Sequence, residues 1–292
     1  MTRAVETVSI ASPLYPEHLR RIHDPPSVLY VRGSLRAAEP AVAVVGSRRA
    51  SATGRAMAGR IAAGLAASGV TVVSGLARGI DAAAHHAALQ AGGRTIAVLG
   101  CGLDVTYPPE HGALVAAIAD QGCVLSEFPP GTPPLPYHFP QRNRIIAGLT
   151  LGVVVVEGDE HSGALSTAGH ALDAGREVMA VPGSVLNPLS RAPHALLRQG
   201  AALVESAEDV LVAVGLPVAL PRLVPAADEN VAMPAGPATL VWEAVGAEPV
   251  HIDEVTLAAG LPAAVVAAAL IDLELRGLVR QLPGKHFIRV YG

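Results

Sequence analysis

The 292-residue chain is 51% hydrophobic and 16% charged, a composition that fills a sizeable core and excludes intrinsic disorder. Aromatic residues make up 3%, so the core has to be built from Ala, Val, Leu and Ile. A formal net charge of -4 excludes a protein that is basic over its whole surface; any nucleic-acid site has to be a local basic patch helped by backbone amides.

Residues 1–40 mix polar and apolar positions around Pro16, Pro25, Pro26 and Pro40, and read as an N-terminal lead-in segment. From residue 41 a βα rhythm begins. Val-rich runs at Ala41–Val45, Val70–Val73, Thr95–Leu99, Cys123–Leu125, Val153–Val156 and Val178–Val181 predict buried parallel strands. Ala-rich stretches of helical length, such as Ala52–Ala67 and Asp81–Ala91, lie between most of them. The alternation predicts an α/β domain over 41–215: a Rossmann-like, doubly wound, mainly parallel sheet with helices on both faces. Residues 216–237 carry five prolines with Asp228 and Glu229, and read as a linker. Beyond it, three helices are expected at Thr239–Val245, Ile252–Ala259 and Pro262–Arg276, the last stopped by Gly277. Leu278–Gln281 and His286–Val290, joined by Pro283-Gly284, read as a hairpin. Helices followed by a hairpin give a small C-terminal winged-helix domain over 238–292.

Four segments carry chemistry. Gly46-Ser47-Arg48 follows the first predicted strand, where a Gly admits a ligand to the backbone and the next helix offers free N–H groups to phosphate. By itself this is also an ordinary strand-to-helix turn. Ser74–Asp81 places Gly75, Arg78 and Gly79 after the second strand; it is not a dinucleotide fingerprint. Gly-bearing loops at two strand ends point to a crevice at a topological switch point. Phe139-Pro140-Gln141-Arg142-Asn143-Arg144 is a dense positive cluster suited to phosphate, with Asn143 able to add a sugar or base contact. Glu157–Thr167 ends a strand and opens a helix through Ser162 and Gly163; Ser166 and Thr167 fit a phosphate contact or a helix face equally well.

Taken together, the Gly46 loop, Ser74–Asp81, Gly100 to Tyr107-Pro108, Ser126-Glu127, the Phe139–Leu149 run, Ser162–Thr167 and Val181-Pro182-Gly183 stand in the order and spacing of the DprA (DNA-processing protein A, Smf) family, which the chain resembles over roughly residues 14–212. The C-terminal module resembles that family's winged helix. The resemblance implies a single-stranded-DNA-binding domain that forms a homodimer and loads the RecA recombinase in natural transformation, part of homologous recombination, and that is not an enzyme. Two features depart from the pattern. The N-terminal helical domain of many members is not expected here, and Ala192-Pro193-His194 stands in place of a Gly-x-Asn turn.

On this reading the DNA contacts are Gly46, Ser47, Arg48, Gly75, Arg78, Gly79, Arg142, Asn143, Arg144, Ser162 and Gly163, with Arg48, Arg142 and Arg144 converging on one crevice. Few aromatics are available, so base stacking is expected to be minor. No catalytic residue, metal site or cofactor is expected: the adjacent His85 and His86 cannot share a metal on a helix, and the other His are scattered. Cys101 and Cys123 have neither disulfide nor metal spacing and are expected as small buried residues. Without a leader-like start or an apolar run of about 18 residues, a cytoplasmic protein with no membrane contact is expected. The C-terminal module has four Lys/Arg against six Asp/Glu and a third helix whose one basic residue is Arg276. That balance favours a protein contact or structural role over reading duplex DNA. The competing reading is a nucleotide-binding or nucleotide-hydrolysing enzyme of the lysine-decarboxylase-like group; against it, His170 stands where that group's catalytic Glu belongs.

Overall fold

The computed structural model describes residues 5–218, 236–246, 249–275, 278–282 and 284–289, and divides into two units, 1–220 and 221–292. The larger unit runs β1 (Glu6–Ser9), α1 (Glu17–Arg20), β2 (Val28–Gly33), β3 (Ala41–Val45), α2 (Ala52–Ala67), β4 (Thr71–Ser74), α3 (Ile80–Gln90), β5 (Thr95–Val98), α4 (Gly112–Gln121), β6 (Cys123–Ser126), α5 (His138–Gly148), β7 (Gly152–Val155), α6 (Gly163–Asp173), β8 (Glu177–Ala180), α7 (Arg191–Arg198), β9 (Ala202–Leu203) and α8 (Ala207–Ala213). The six predicted strands are all present, their ends displaced by a single residue at most.

They form one nine-stranded sheet in the order β1-β2-β6-β5-β4-β3-β7-β8-β9, parallel from β6 to β9. Each strand feeds two cores, which is why the runs are apolar at every position instead of alternating. In β3, Ala41, Ala43 and Val45 meet Ile145 and Ile146 of α5 and Ala164 and Ala168 of α6. Val42 and Val44 meet Ile61 and Leu65 of α2 and Ile80 and Ala84 of α3. The described part of the segment expected as a lead-in ahead of the sheet, residues 5–40, is built into it. β1 and β2 extend it through antiparallel pairs with each other and with β6. Tyr15 and Leu19 are fully buried, and the Tyr15 hydroxyl donates to the Pro26 carbonyl at 2.7 Å.

The smaller unit contains α9 (Pro237–Ala244), β10 (Val250–His251), α10 (Ile252–Ala259), α11 (Ala263–Leu275), β11 (Val279–Leu282) and β12 (His286–Arg289). Its sheet, β10-β12-β11, adds a short strand to the expected hairpin. Val241, Val255, Val266, Leu270, Leu273 and Phe287 make its core. Gly260 ends α10 in the left-handed region at φ 63°, a conformation that favours glycine. The fold is thus an α/β, Rossmann-like domain with a winged helix. Most of the expected linker, and the stop at Arg276-Gly277, lie outside the described residues. Among the described residues no single helix is long and apolar enough to cross a membrane, and no group of three His, Cys, Asp or Glu is placed to hold a metal.

Candidate functional site

β3 is the switch point of the sheet: the chain goes from it to β4 on one side, and β7 pairs with it on the other. The loops after β3 and β7 therefore part, as expected for a crevice beyond the strand ends. A cleft of about 540 Å³ opens there, lined by Gly46, Ser47, Arg48, Arg49, Asp81, Tyr107, Phe139, Arg142, Asn143, His161, Ser162 and Gly163.

Short contacts hold its floor. The Ser47 amide donates to the Glu157 carbonyl at 2.7 Å and the Ile80 amide to the Ser47 carbonyl at 3.2 Å. Gly79 sits at φ 79°, and a Cβ there would lie 2.2 Å from the Ser47 carbonyl oxygen, so glycine is required on both counts. The start of α2 differs from expectation. The Glu157 carboxylate accepts the Ser51 amide at 2.9 Å and the Ser51 hydroxyl at 2.6 Å, while the Ser51 oxygen caps Gly54. A Cβ on Gly54 would lie 2.3 Å from that carboxylate. An internal carboxylate thus lies at the α2 N-terminus, and the Ser51 and Gly54 amides are not the free donors expected after Gly46-Ser47-Arg48. The α6 N-terminus is the one that lines the cleft. Ser162 caps it through Ala164 at 3.3 Å, and nothing stands within 4 Å of a Cβ placed on Gly163.

Arg142 lies at the base of the cleft. Only 4% of it is exposed, and its guanidinium occupies the space beside Gly75, where a Cβ would fall 1.7 Å from Nη1. Its buried Nε has no partner, and among the described residues its side chain makes no hydrogen bond or ion pair. Burial pulls its pKa down to about 10, against the opposing field of Asp81. Asp81 is itself buried, accepting the Gly75 and Ala77 amides at 3.2 and 3.3 Å; burial raises its pKa, and Arg142 works the other way. Asn143 donates through Nδ2 to the Gly163 carbonyl at 3.2 Å, tying α5 to the start of α6. Arg48 is exposed and lies 5.0 Å from the centre of the Phe139 ring, which packs 5.5 Å from Tyr107.

The structure brings Gly46, Ser47, Arg48, Arg142, Asn143, Ser162 and Gly163 into one cleft. Gly75 and Arg78 line a smaller adjoining pocket that shares Arg48 and Arg142, and Arg78 pairs there with Glu110 at 2.5 Å. Arg144 is not at the cleft. It forks onto Glu127 at 2.6 and 2.7 Å and reaches Asp24 at 3.1 Å, joining α5 to the residues around β2 and β6. Arg49, Tyr107 and Phe139 line the cleft without having been singled out as site residues, although each adjoins or belongs to a motif that was. The aromatic pair also places two rings where little stacking was expected.

The family model for DNA recombination-mediator protein A matches residues 6–215, and that of the DprA winged helix domain matches 225–285. The chain belongs to the DNA recombination-mediator protein A (DprA) family. Among its relatives, protein Smf of Escherichia coli is 44% identical over 280 residues, 94% of this chain and 74% of that one. DNA processing protein DprA of Streptococcus pneumoniae is 50% identical over 204 residues, 70% and 72% of the two chains. Two solved DprA structures are similar. The one from Streptococcus pneumoniae has a TM-score of 0.69 at 48% identity, covering 72% of this chain and 75% of that one. The one from Helicobacter pylori, described for its single-stranded DNA binding mode, has a TM-score of 0.64 at 26% identity, covering 73% and 97%.

Proposed function

We propose that this protein binds single-stranded DNA along the cleft between the β3 and β7 loops and hands the strand to the RecA recombinase. The observation that carries the reading is Arg142: a buried guanidinium that makes no hydrogen bond or ion pair among the described residues, at the base of an open cleft. A buried charge is normally paired, so its missing partner is supplied by an anion. Arg48 and Arg49 on the rim and the α6 N-terminus at the wall suit a run of phosphates. The Helicobacter pylori relative, described for its single-stranded DNA binding mode, supports a single strand as that anion. Arg78 is a further contact if DNA displaces Glu110. No group is assigned a catalytic role, and the protein acts as a cytoplasmic homodimer.

The winged helix serves a protein contact. α11 carries no basic residue from Ala263 to Leu275, so it lacks the side chains that read or neutralise duplex DNA. The test of the main reading is a salt-titrated comparison of single-stranded and duplex DNA. Tighter single-strand binding, with affinity falling steeply as salt rises, is expected. Equal affinity for duplex, or turnover of nucleoside monophosphates, overturns it. RecA loading is tested separately, by strand exchange on DNA pre-coated with single-strand-binding protein.

A further inference from the structure

Val181-Pro182-Gly183 leads from β8 into a turn that the cleft does not use. Its two central residues, Val185 and Leu186, are 85% and 89% exposed, and among the described residues of this unit no other large apolar side chain is as bare. The turn is well braced. The Asn187 amide donates to the Ser184 carbonyl at 3.0 Å, the Leu186 amide to the Ser184 hydroxyl at 3.3 Å, and the Leu189 amide to Asn187 Oδ1 at 3.0 Å. His194 Nε2 lies 3.1 Å from the Gly183 carbonyl, and the Ser190 hydroxyl packs so closely on Gly183 that a Cβ there would lie 2.3 Å from it. A fixed scaffold therefore holds two aliphatic side chains out in water.

The same scaffold is joined to the cleft wall. The Gly158 amide donates to the Leu189 carbonyl at 2.6 Å and the Ala192 amide to the Gly158 carbonyl at 2.9 Å. Asn187 reaches the Glu157 carboxylate at 3.5 Å. The turn thus continues the rim formed by the β7–α6 loop, which supplies His161, Ser162 and Gly163 to the cleft. Two adjacent side chains flanked by Ser184 and Asn187 are far too small a patch for a protein partner, which needs roughly 800 Å² per side. They match the face of one or two nucleobases. Aliphatic side chains are used in this way, as apolar wedges against unstacked bases.

We infer that Val185 and Leu186 form an apolar base-contact tip that extends the single-strand site beyond the phosphate cleft. This rests on the proposed single-strand binding. A strand held by its phosphates at Arg142 and α6 turns its bases outward along the rim, where the tip shields them from water. Such a contact adds affinity without neutralising a phosphate, and it favours no base strongly.

Val185→Ser with Leu186→Ser is expected to weaken binding to a long oligothymidylate about fivefold while leaving the slope of log affinity against log salt unchanged. Thermal unfolding controls for the fold. Leu186→Trp gives a second readout: its emission is expected to be quenched on DNA binding, beyond any change in the parent, whose one tryptophan is Trp242. Unchanged affinity of the double variant with an unquenched Leu186→Trp overturns the tip while single-strand binding by the parent stands. A fall in the salt slope of the double variant also overturns it, because the tip would then be acting on phosphates. A parent that does not bind single strands overturns the functional reading and the tip with it.

Discussion

Replacing Arg142 by Met separates what the residue costs the fold from what it contributes to DNA. Among the described residues the guanidinium is buried with no hydrogen bond or ion pair, and burial that pulls its pKa down to about 10 places its charged form about 3 kcal/mol above its standing in water. Methionine fills a similar space with no charge to desolvate. Against this gain, Asp81 loses its opposing field and is left a buried carboxyl held by two amides. The balance is a fold as stable as the parent or more stable by about 1–2 kcal/mol, a rise of up to roughly 5 °C for a unit of this size. Binding moves the other way. Losing the charge-assisted hydrogen bonds to one phosphate costs about 2 kcal/mol, or roughly 30-fold in affinity, and lowers the salt slope by about 0.7. Calorimetry and anisotropy titrations at several salt concentrations read both arms on one preparation. An unfolding temperature that drops by more than about 5 °C, or a salt slope equal to the parent's, refutes the argument that the charge is kept for a ligand.

Arg144→Ala is expected to do the reverse: single-strand affinity within about twofold of the parent, and a stability loss of about 2 kcal/mol in urea, because the largely covered Glu127 is left without its fork. Gly75→Ala places a methyl where Nη1 now lies, so it is expected to push Arg142 out of position and lower affinity about tenfold while far-ultraviolet dichroism stays unchanged. His85 is fully buried, and burial lowers its pKa from 6.5 to about 3. Its folded pKa lies below the unfolded one, so its contribution is complete above pH 6.5 and is lost as pH falls toward 3. About 2 kcal/mol should go between pH 6.5 and 5, and His85→Gln should remove that part of the acid sensitivity in urea titrations at the two pH values.

The parallel strands were readable because burial on both faces makes each an unbroken apolar run, and no other element of this length looks so. β1 and β2 gave no such signal: their buried positions are interrupted by exposed or half-buried ones, and only the pairing of β2 with β6, and of β1 with β2, makes them part of the sheet. Arg142 and Arg144 looked equivalent as members of one positive cluster. Once α5 starts at His138 they are two positions apart on a helix, about 200° around its axis, and so face opposite ways. The carboxylate at the α2 N-terminus could not be anticipated, since Glu157 meets Ser51 only through the adjacency of β3 and β7. Tyr107, in the loop after β5, and Phe139, in the first turn of α5, are brought together by the fold, and nothing in either local sequence announces the pair.

The pairing of β3 with β7 also sets when the cleft comes into being. Ala43 lies beside Val73 in β4, about 30 positions on, but its other neighbour is Val153, about 110 positions on. As the chain leaves the ribosome, β3 to β6 and their helices are free to zip up in turn, and they contain the Gly46 loop and Arg48. The opposite wall, with its α6 N-terminus and the Asn143 link to Gly163, exists only after β7 has closed the longest loop in the sheet. On the proposed function, affinity for DNA is therefore a property of the finished domain alone: a nascent or truncated chain can carry the arginines and still lack the cleft that would grip a strand.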